Sequence, residues 1–440
     1  MRSRETERKG KAALDPPKGR SHPGNTEVIE INNPGEVRLR PGRKFAYYPI
    51  PMMHLQTTLK GTEAAGPTDA ALGGEALAVV HGEPSFALAN RDVELWLTRR
   101  AGHMGPVRFR VGKRWVQPYA MAPWQPHELS DALPPILRVL RGDYFCLPFG
   151  SSKGVKDVHG ETANETWEPV ETSAGRLVME MRVKAPACSV RKTLCIREGH
   201  RAVYQEHRIE GLQGRYNFGH HAILQFPDKG GPFHVNTSPF HYGSVKTEAF
   251  SDPLAREYGA LKTGGRFTSL DKVPLAHGGT TSLQEYPARR GFEDLIMVSS
   301  KPGDFAWTAA TLDGYIWISL KDPRTLPNTL FWLSNGGRHG APWNGSHFGR
   351  LGLEEVCSHF SDGLEHARRN LLKEHGVPTS LNFKAKEAKS IRSIHAVHPV
   401  GKDFGRVERI ERDEGGAHVT VFGNGGRTAR VPVDWAFLHG

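Results

Sequence analysis

Arg350-Leu351-Gly352-Leu353-Glu354-Glu355-Val356-Cys357-Ser358 alternates as a strand does, with successive side chains on opposite faces. Leu351, Leu353, Glu355 and Cys357 share one face, which is mostly apolar and belongs against a core. Gly352, Glu354, Val356 and Ser358 share the other: a glycine that permits close approach, then a single carboxylate among modest side chains. Such a face presents one acid to a cleft, which makes Glu354 the candidate working group. The plainer reading is a strand end with two solvated glutamates. The rest of the chain has to decide between them.

Working outward, strand patterns dominate. Alternating runs at 86–89, 93–97 and 107–111 are separated by Asn90-Arg91-Asp92 and 101–105, and Gly112-Lys113-Arg114 turns the chain after them. A second meander is predicted over 176–183, 189–197, 202–210 and 216–226. Residues 227–290 are rich in Gly, Pro, Ser and Thr and read as long loops, one wall of a cleft. Strands resume near 295–299, 305–312, 315–320 and 329–333. One helix is expected after Ser361-Asp362, with Leu364, Ala367 and Leu371 on one side and Gly376 as its stop. Strands return at 406–412, 417–422 and 428–433, the last pair joined by the turn Gly423-Asn424-Gly425-Gly426. The prediction is an all-β fold of antiparallel sheets with one short helix in the C-terminal third.

Composition agrees with a large packed β domain: 38% hydrophobic residues and 9% aromatics support a core, and 49 glycines with 31 prolines favour turns. Net charge is 58 − 47 = +11. Residues 1–44 carry 11 Lys/Arg against 6 Asp/Glu and no apolar period, so they read as a flexible basic extension before a single domain over 45–440. No basic stripe on a folded element argues for a specific nucleic-acid partner. No run approaches the roughly 18 apolar residues of a membrane span, and the N-terminal stretch has no secretory h-region. The cytoplasm is the default location. Cys146, Cys188, Cys195 and Cys357 are too scattered for a disulfide framework or a CxxC zinc site. The 22 histidines, among them His234 and His241, show no metal-centre spacing. No metal or other cofactor is expected.

Four polar constellations remain. In LRGDYFCLPFG (140–150), Arg141 is either a hydroxyl or anion clamp or an arginine preceding a core strand. In VHGETANETW (158–167), His159, Asn164 and Trp167 suit sugar recognition, since indole stacks on C–H faces and imidazole bonds hydroxyls; a turn histidine is the alternative. In FGHHAILQF (218–226), alternation groups His220 with Ala222, Leu224 and Phe226, leaving His221 with Ile223 and Gln225 for the cleft. FWLSNGGRHGAPWNG (331–345) offers Trp332, Trp343 and Asn344 as a cleft rim.

The order of these pieces resembles the galactose mutarotase-like (aldose 1-epimerase) superfamily over roughly 85–440. The counterparts are Arg141, then Val158-His159-Gly160 with Trp167, then His221 in Gly-His-His-Ala, then Leu353-Glu354. The sequence departs from the family pattern at Glu161, at His220 (an asparagine in the family) and after Glu354, so His220 and His221 compete for one role. The resemblance implies a β-supersandwich and a carbohydrate ligand. It implies an aldose 1-epimerase in which Glu354 takes the C1 hydroxyl proton while His221 protonates the ring oxygen. His159 would hold the ring-oxygen side or a hydroxyl, Arg141 a further hydroxyl, and Trp167, His220, Trp332, Trp343 and Asn344 would complete the binding site. A non-catalytic carbohydrate-binding or regulatory domain on the same fold is the alternative. A lyase-like enzyme on a similar sandwich would require a tyrosine and an arginine in the cleft. Neither the sugar nor the oligomeric state is legible.

Removal of residues 1–44 is expected to leave the fold intact, because they contain no periodic apolar pattern. Limited proteolysis should trim them before the body is cut; early cleavage within the body with the extension protected is the contrary result.

Overall fold

A computed structural model of the chain describes residues 77–440 apart from 131, 152–156, 230, 232 and 288. The expectations for 1–44 and for 45–76 lie outside the described residues. Among these residues every strand pairing within a named sheet is antiparallel, and two large sheets dominate. One has nine strands, in the order Glu285–Tyr286, Phe233–Thr237, Ala306–Leu312, Tyr315–Lys321, Lys389–Pro399, Ala202–Glu210, Ala187–Ile196, Arg176–Lys184 and Glu168–Ser173. The other runs Phe240–Val245, Phe292–Ser300, Asn328–Asn335, Arg350–Cys357, Phe218–His220 and Phe145–Cys146, with Ala222–Gln225 also paired to Arg350–Cys357. The opening meander is a five-stranded sheet ending at Arg114–Val116. The architecture is an all-β antiparallel sandwich.

Several expectations required correction. Residues 216–226 do not form one strand but three short ones, Gly214–Tyr216, Phe218–His220 and Ala222–Gln225. The region 227–290, expected as loops, contains Phe233–Thr237 and the sheet edge Phe240–Val245. The longest missed strand, Lys389–Pro399, is central to the nine-stranded sheet. Its inward Ser393 and His395 disguise it, because the core at that level is polar. The helix Gly363–Arg369 forms where expected but stops at left-handed Asn370; Gly376 instead closes a 3-10 turn. A one-turn helix, Ile136–Val139, was not foreseen.

Three apolar layers follow. Leu351, Leu353 and Cys357 join Leu224, Phe226, Leu177 and Trp317 between the sheets. Val356, Ile223, Leu330 and Trp332 belong to a second layer on the opposite face of the seven-stranded sheet. A third lies where the C-terminal three-stranded sheet packs its Val419, Val421 and Val431 on Ile316, Ile318 and Ile394.

The layer between the sheets also holds ions. Glu355, fully buried, forms an ion pair with Lys321 of the facing sheet. It also accepts bonds from Thr308 (2.7 Å) and Thr329 (2.8 Å), while the ammonium donates to Thr329 at 2.7 Å. Nearby, Asp143 accepts from Gln205 Nε2 at 2.6 Å and lies 3.4 Å from His220 Nδ1. Burial holds His103 and His207 well below the ordinary imidazole range and His395 at about 4. His159, His221 and His347, outside this layer, are lowered by the same desolvation.

Glu355→Gln is expected to cost about 3–5 kcal/mol in urea unfolding, since it strands a buried ammonium; Glu354→Gln, facing no cation of that kind, should cost much less. Acid should also unfold the protein early. Each of these six histidines has a folded pKa below its unfolded value near 6.5, so unfolding takes up protons and stability falls as pH drops through 6.5 toward 4. Glu293 and Glu354, raised by burial, release protons on unfolding and oppose this, but they are outnumbered. Urea melts between pH 6 and 4.5 should lose more than about 1.4 kcal/mol per pH unit; a flat profile would mean that these imidazoles are charged in the fold.

Candidate active site

Strand register brings the two candidate groups together. Phe218 and Gly219 pair with Cys357 and Val356, and Ala222 through Gln225 pair with Leu353 through Arg350. That register, continued across the break, sets His220 opposite Glu355 and His221 opposite Glu354. The ladder is interrupted because the His221 N–H donates to the Tyr144 carbonyl (2.9 Å) instead. Gly219 allows the close crossing, since a Cβ there would sit 2.5 Å from Val356 Cγ1. His221 Nε2 then lies 3.3 Å from Glu354 Oε1. Gly352 serves the same end: a Cβ would meet Glu354 Oε1 at 2.6 Å and Trp332 Cβ at 2.9 Å.

The pair forms part of the wall of a cavity of about 440 Å³ on the outer face of the seven-stranded sheet. Tyr144 stacks on His221 (centroids 4.6 Å apart), while His159 and Trp332 meet it edge-on at 4.9 and 5.7 Å. His159 adopts a positive φ of 69° and is tied to Gly150 at two points: its N–H donates to the Gly150 carbonyl (2.8 Å), and its Nδ1 accepts the Gly150 N–H (3.1 Å). An accepting Nδ1 assigns the ring proton to Nε2. Burial keeps this ring neutral, with its pKa lowered to about 3. His159 is therefore a hydrogen-bond donor rather than a proton shuttle.

Desolvation also sets the state of the pair. It raises Glu354 well above the carboxylate range, with the charge of Asp143 adding to the effect, and lowers His221 well below the imidazole range, with His159 adding to it. Both shifts favour the uncharged forms, carboxylic acid and free imidazole.

A second polar group lines the same cavity. Arg338 lies 3.2 Å from Glu257 and 3.6 Å from Glu293, over the rings of Trp343, Phe250 and Trp332 at 5.0–5.6 Å. Glu293 accepts the Trp332 indole N–H (2.5 Å) and the Ser334 hydroxyl (3.0 Å), and burial pushes its pKa up to about 7. This network fixes the indole beside His221.

Of the residues singled out from sequence, the cavity lining includes Glu354, His221, His159, Trp332 and Trp343. The other five lie outside it, Asn164 with its amide N–H groups on the Val158 and Gly160 carbonyls. Arg141 is spent on backbone carbonyls, donating to Val139, Val80 and His81, so it cannot clamp a hydroxyl there. Trp167 is fully buried between the sheets with its indole N–H on the Thr162 carbonyl. His220 faces the inter-sheet layer beside Asp143, as its alternation with His221 requires. Asn344 occupies a positive-φ turn position (47°), and its amide turns back to Pro342. Conversely, sequence reasoning missed Tyr144, Glu257 and Arg338. Tyr144 alone carried a signal, since alternation in the 140–150 stretch separates it from Phe145. Among the described residues no cluster of His, Cys, Asp and Glu is arranged to hold a metal ion, and no helix is long and apolar enough to cross a membrane.

No protein-family model matches the chain, and no curated protein matches it. Solved structures do. A galactose mutarotase-like protein from Lactobacillus casei ATCC 334 aligns at 11% identity with a TM-score of 0.47, covering 71% of this chain and 100% of that one. A galactose mutarotase related enzyme from Lactobacillus acidophilus aligns at 10% identity and a TM-score of 0.46, covering 72% and 98%. Each likeness is one of fold.

Proposed function

We propose that the cavity interconverts the anomers of an aldose by general acid–base chemistry at Glu354 and His221. The observation that carries this reading is their 3.3 Å approach, both side chains buried, in the wall of a ligand-sized cavity. Ring opening needs one proton taken from the C1 hydroxyl and one given to the ring oxygen as the C1–O5 bond breaks. The pair as a whole neither gains nor loses a proton in that exchange. In the forward half the carboxyl starts protonated, the form its burial favours, so Glu354 gives to the ring oxygen and His221 takes from O1. Rotation about C1–C2 exposes the other carbonyl face, and closure reverses the roles. The assignment implied by the family resemblance, Glu354 as base and His221 as acid, is then the return half of the same cycle. His159, through its Nε2–H, would donate to a ring or hydroxyl oxygen without titrating.

Glu354→Gln keeps the shape and removes the exchangeable proton. Anomer interconversion, followed by NMR exchange or polarimetry on several aldoses, should fall by about 10²–10⁴-fold with little loss of fold. If the variant matches the wild type on a sugar that demonstrably binds, the protein is a carbohydrate-binding module and not a mutarotase.

A further inference from the structure

Among the described residues, one wall of the cavity is much less polar than a free sugar demands. The segment 133–140 contributes Leu133, Pro134, Ile136, Leu137 and Leu140 to the lining, without one side-chain hydrogen-bonding group. Leu133, Leu137, Phe250 and Trp343 are only half-buried, pack on the apolar layer beneath, and turn remaining surface to the cavity. Apolar surface held in a concave site is covered favourably only by apolar ligand surface. An unsubstituted aldose carries a hydroxyl on nearly every carbon, and each hydroxyl stripped of water needs a partner. Among the described residues, partners come from Glu354, His221, His159, Tyr144, Ser151, Ser361, Arg338 and Glu257, and none from the lining residues of 133–140. Arg338 and Glu257 are already paired with each other at 3.2 Å. The volume of about 440 Å³ falls in the range of drug-sized ligands.

We infer that the ligand is an aldose bearing an apolar substituent away from C1, with its anomeric centre at Glu354–His221 and the substituent against the leucines of 133–140. A second sugar unit in that position would meet the same shortage of partners. This inference rests on the acid–base reading above for the placement of the anomeric centre, and it adds the substrate class.

The test compares D-glucose and D-galactose with their mono-O-benzyl ethers at O3, O4 and O6, all of which keep a free anomeric hydroxyl. Binding to the full-length protein is measured by calorimetry and interconversion by NMR exchange. At least one ether should bind tenfold or more tightly than its parent sugar. Leu137→Asn should reduce that ratio toward one, with Leu133→Ser as the second variant if the first fails to fold. Ethers that all bind no better than the parent sugars would overturn the inference, and so would benzyl alcohol binding as tightly as the best ether. The two readings fail separately. Interconversion of the parent sugars without any gain from the substituent leaves the acid–base reading standing and removes this one. A tenfold gain in binding without interconversion does the reverse.

Discussion

Neighbouring side chains on a strand cannot share a face, and the placement of Glu354 and Glu355 depends on that constraint. Two adjacent carboxyls leave Arg350–Cys357 in opposite directions, across from two adjacent histidines that do the same. On the inner side Glu355 enters the layer between the sheets and meets Lys321. On the outer side Glu354 meets His221 beside the cavity. A slip of one residue would exchange these environments. In one direction it would put a carboxyl into the core away from the ammonium; in the other it would put one on the outer face away from the histidine. Both errors are costly, because an ion taken from water without a partner loses several kcal/mol. The register is therefore specified from both faces at once.

The polar layer between the sheets also reaches the site. Asp143 is held ionised by its partners His220 and Gln205, its pKa lying well below the usual range despite complete burial. It directly precedes Tyr144, whose ring stacks on His221 and whose carbonyl receives the His221 N–H. Its charge also acts through the sheet, adding to the burial that raises the Glu354 carboxyl. On the cavity side, Glu293 fixes Trp332 and Gly150 fixes His159. The groups around the cavity are thus oriented by bonds that already exist, which is the condition for acid–base groups to act without reorganising.

Much of the site was legible because strand alternation is a local property. The separation of Glu354 from Glu355, and of His221 from His220, follows from parity once the segments are read as strands. Arg141, Trp167 and Asn344 were misplaced for a different reason. An arginine or an indole seen in sequence looks like a ligand-binding group, yet its donors can equally be taken by backbone carbonyls that arrive from distant segments. Val80 and His81 do so for Arg141, 61 and 60 residues away. The strand Lys389–Pro399 was missed because its inward residues are polar, and polar residues alternate inward only where another sheet supplies partners.

The amino-acid sequence by itself determined that the chain is all-β, roughly where most of its strands lie, and which face of each carries the chemistry. Those properties depend on period and turn chemistry within a few residues. Tertiary structure alone decided that Lys321 answers Glu355, that Tyr144 and His159 enclose His221, and that the leucines of 133–140 line the cavity. Those contacts join segments tens to more than a hundred residues apart, and no local pattern encodes which of them meet. The pKa directions belong to the same category. Desolvation arises from what the other sheets and loops exclude, so the opposed shifts of Glu354 and His221 exist only in the folded molecule.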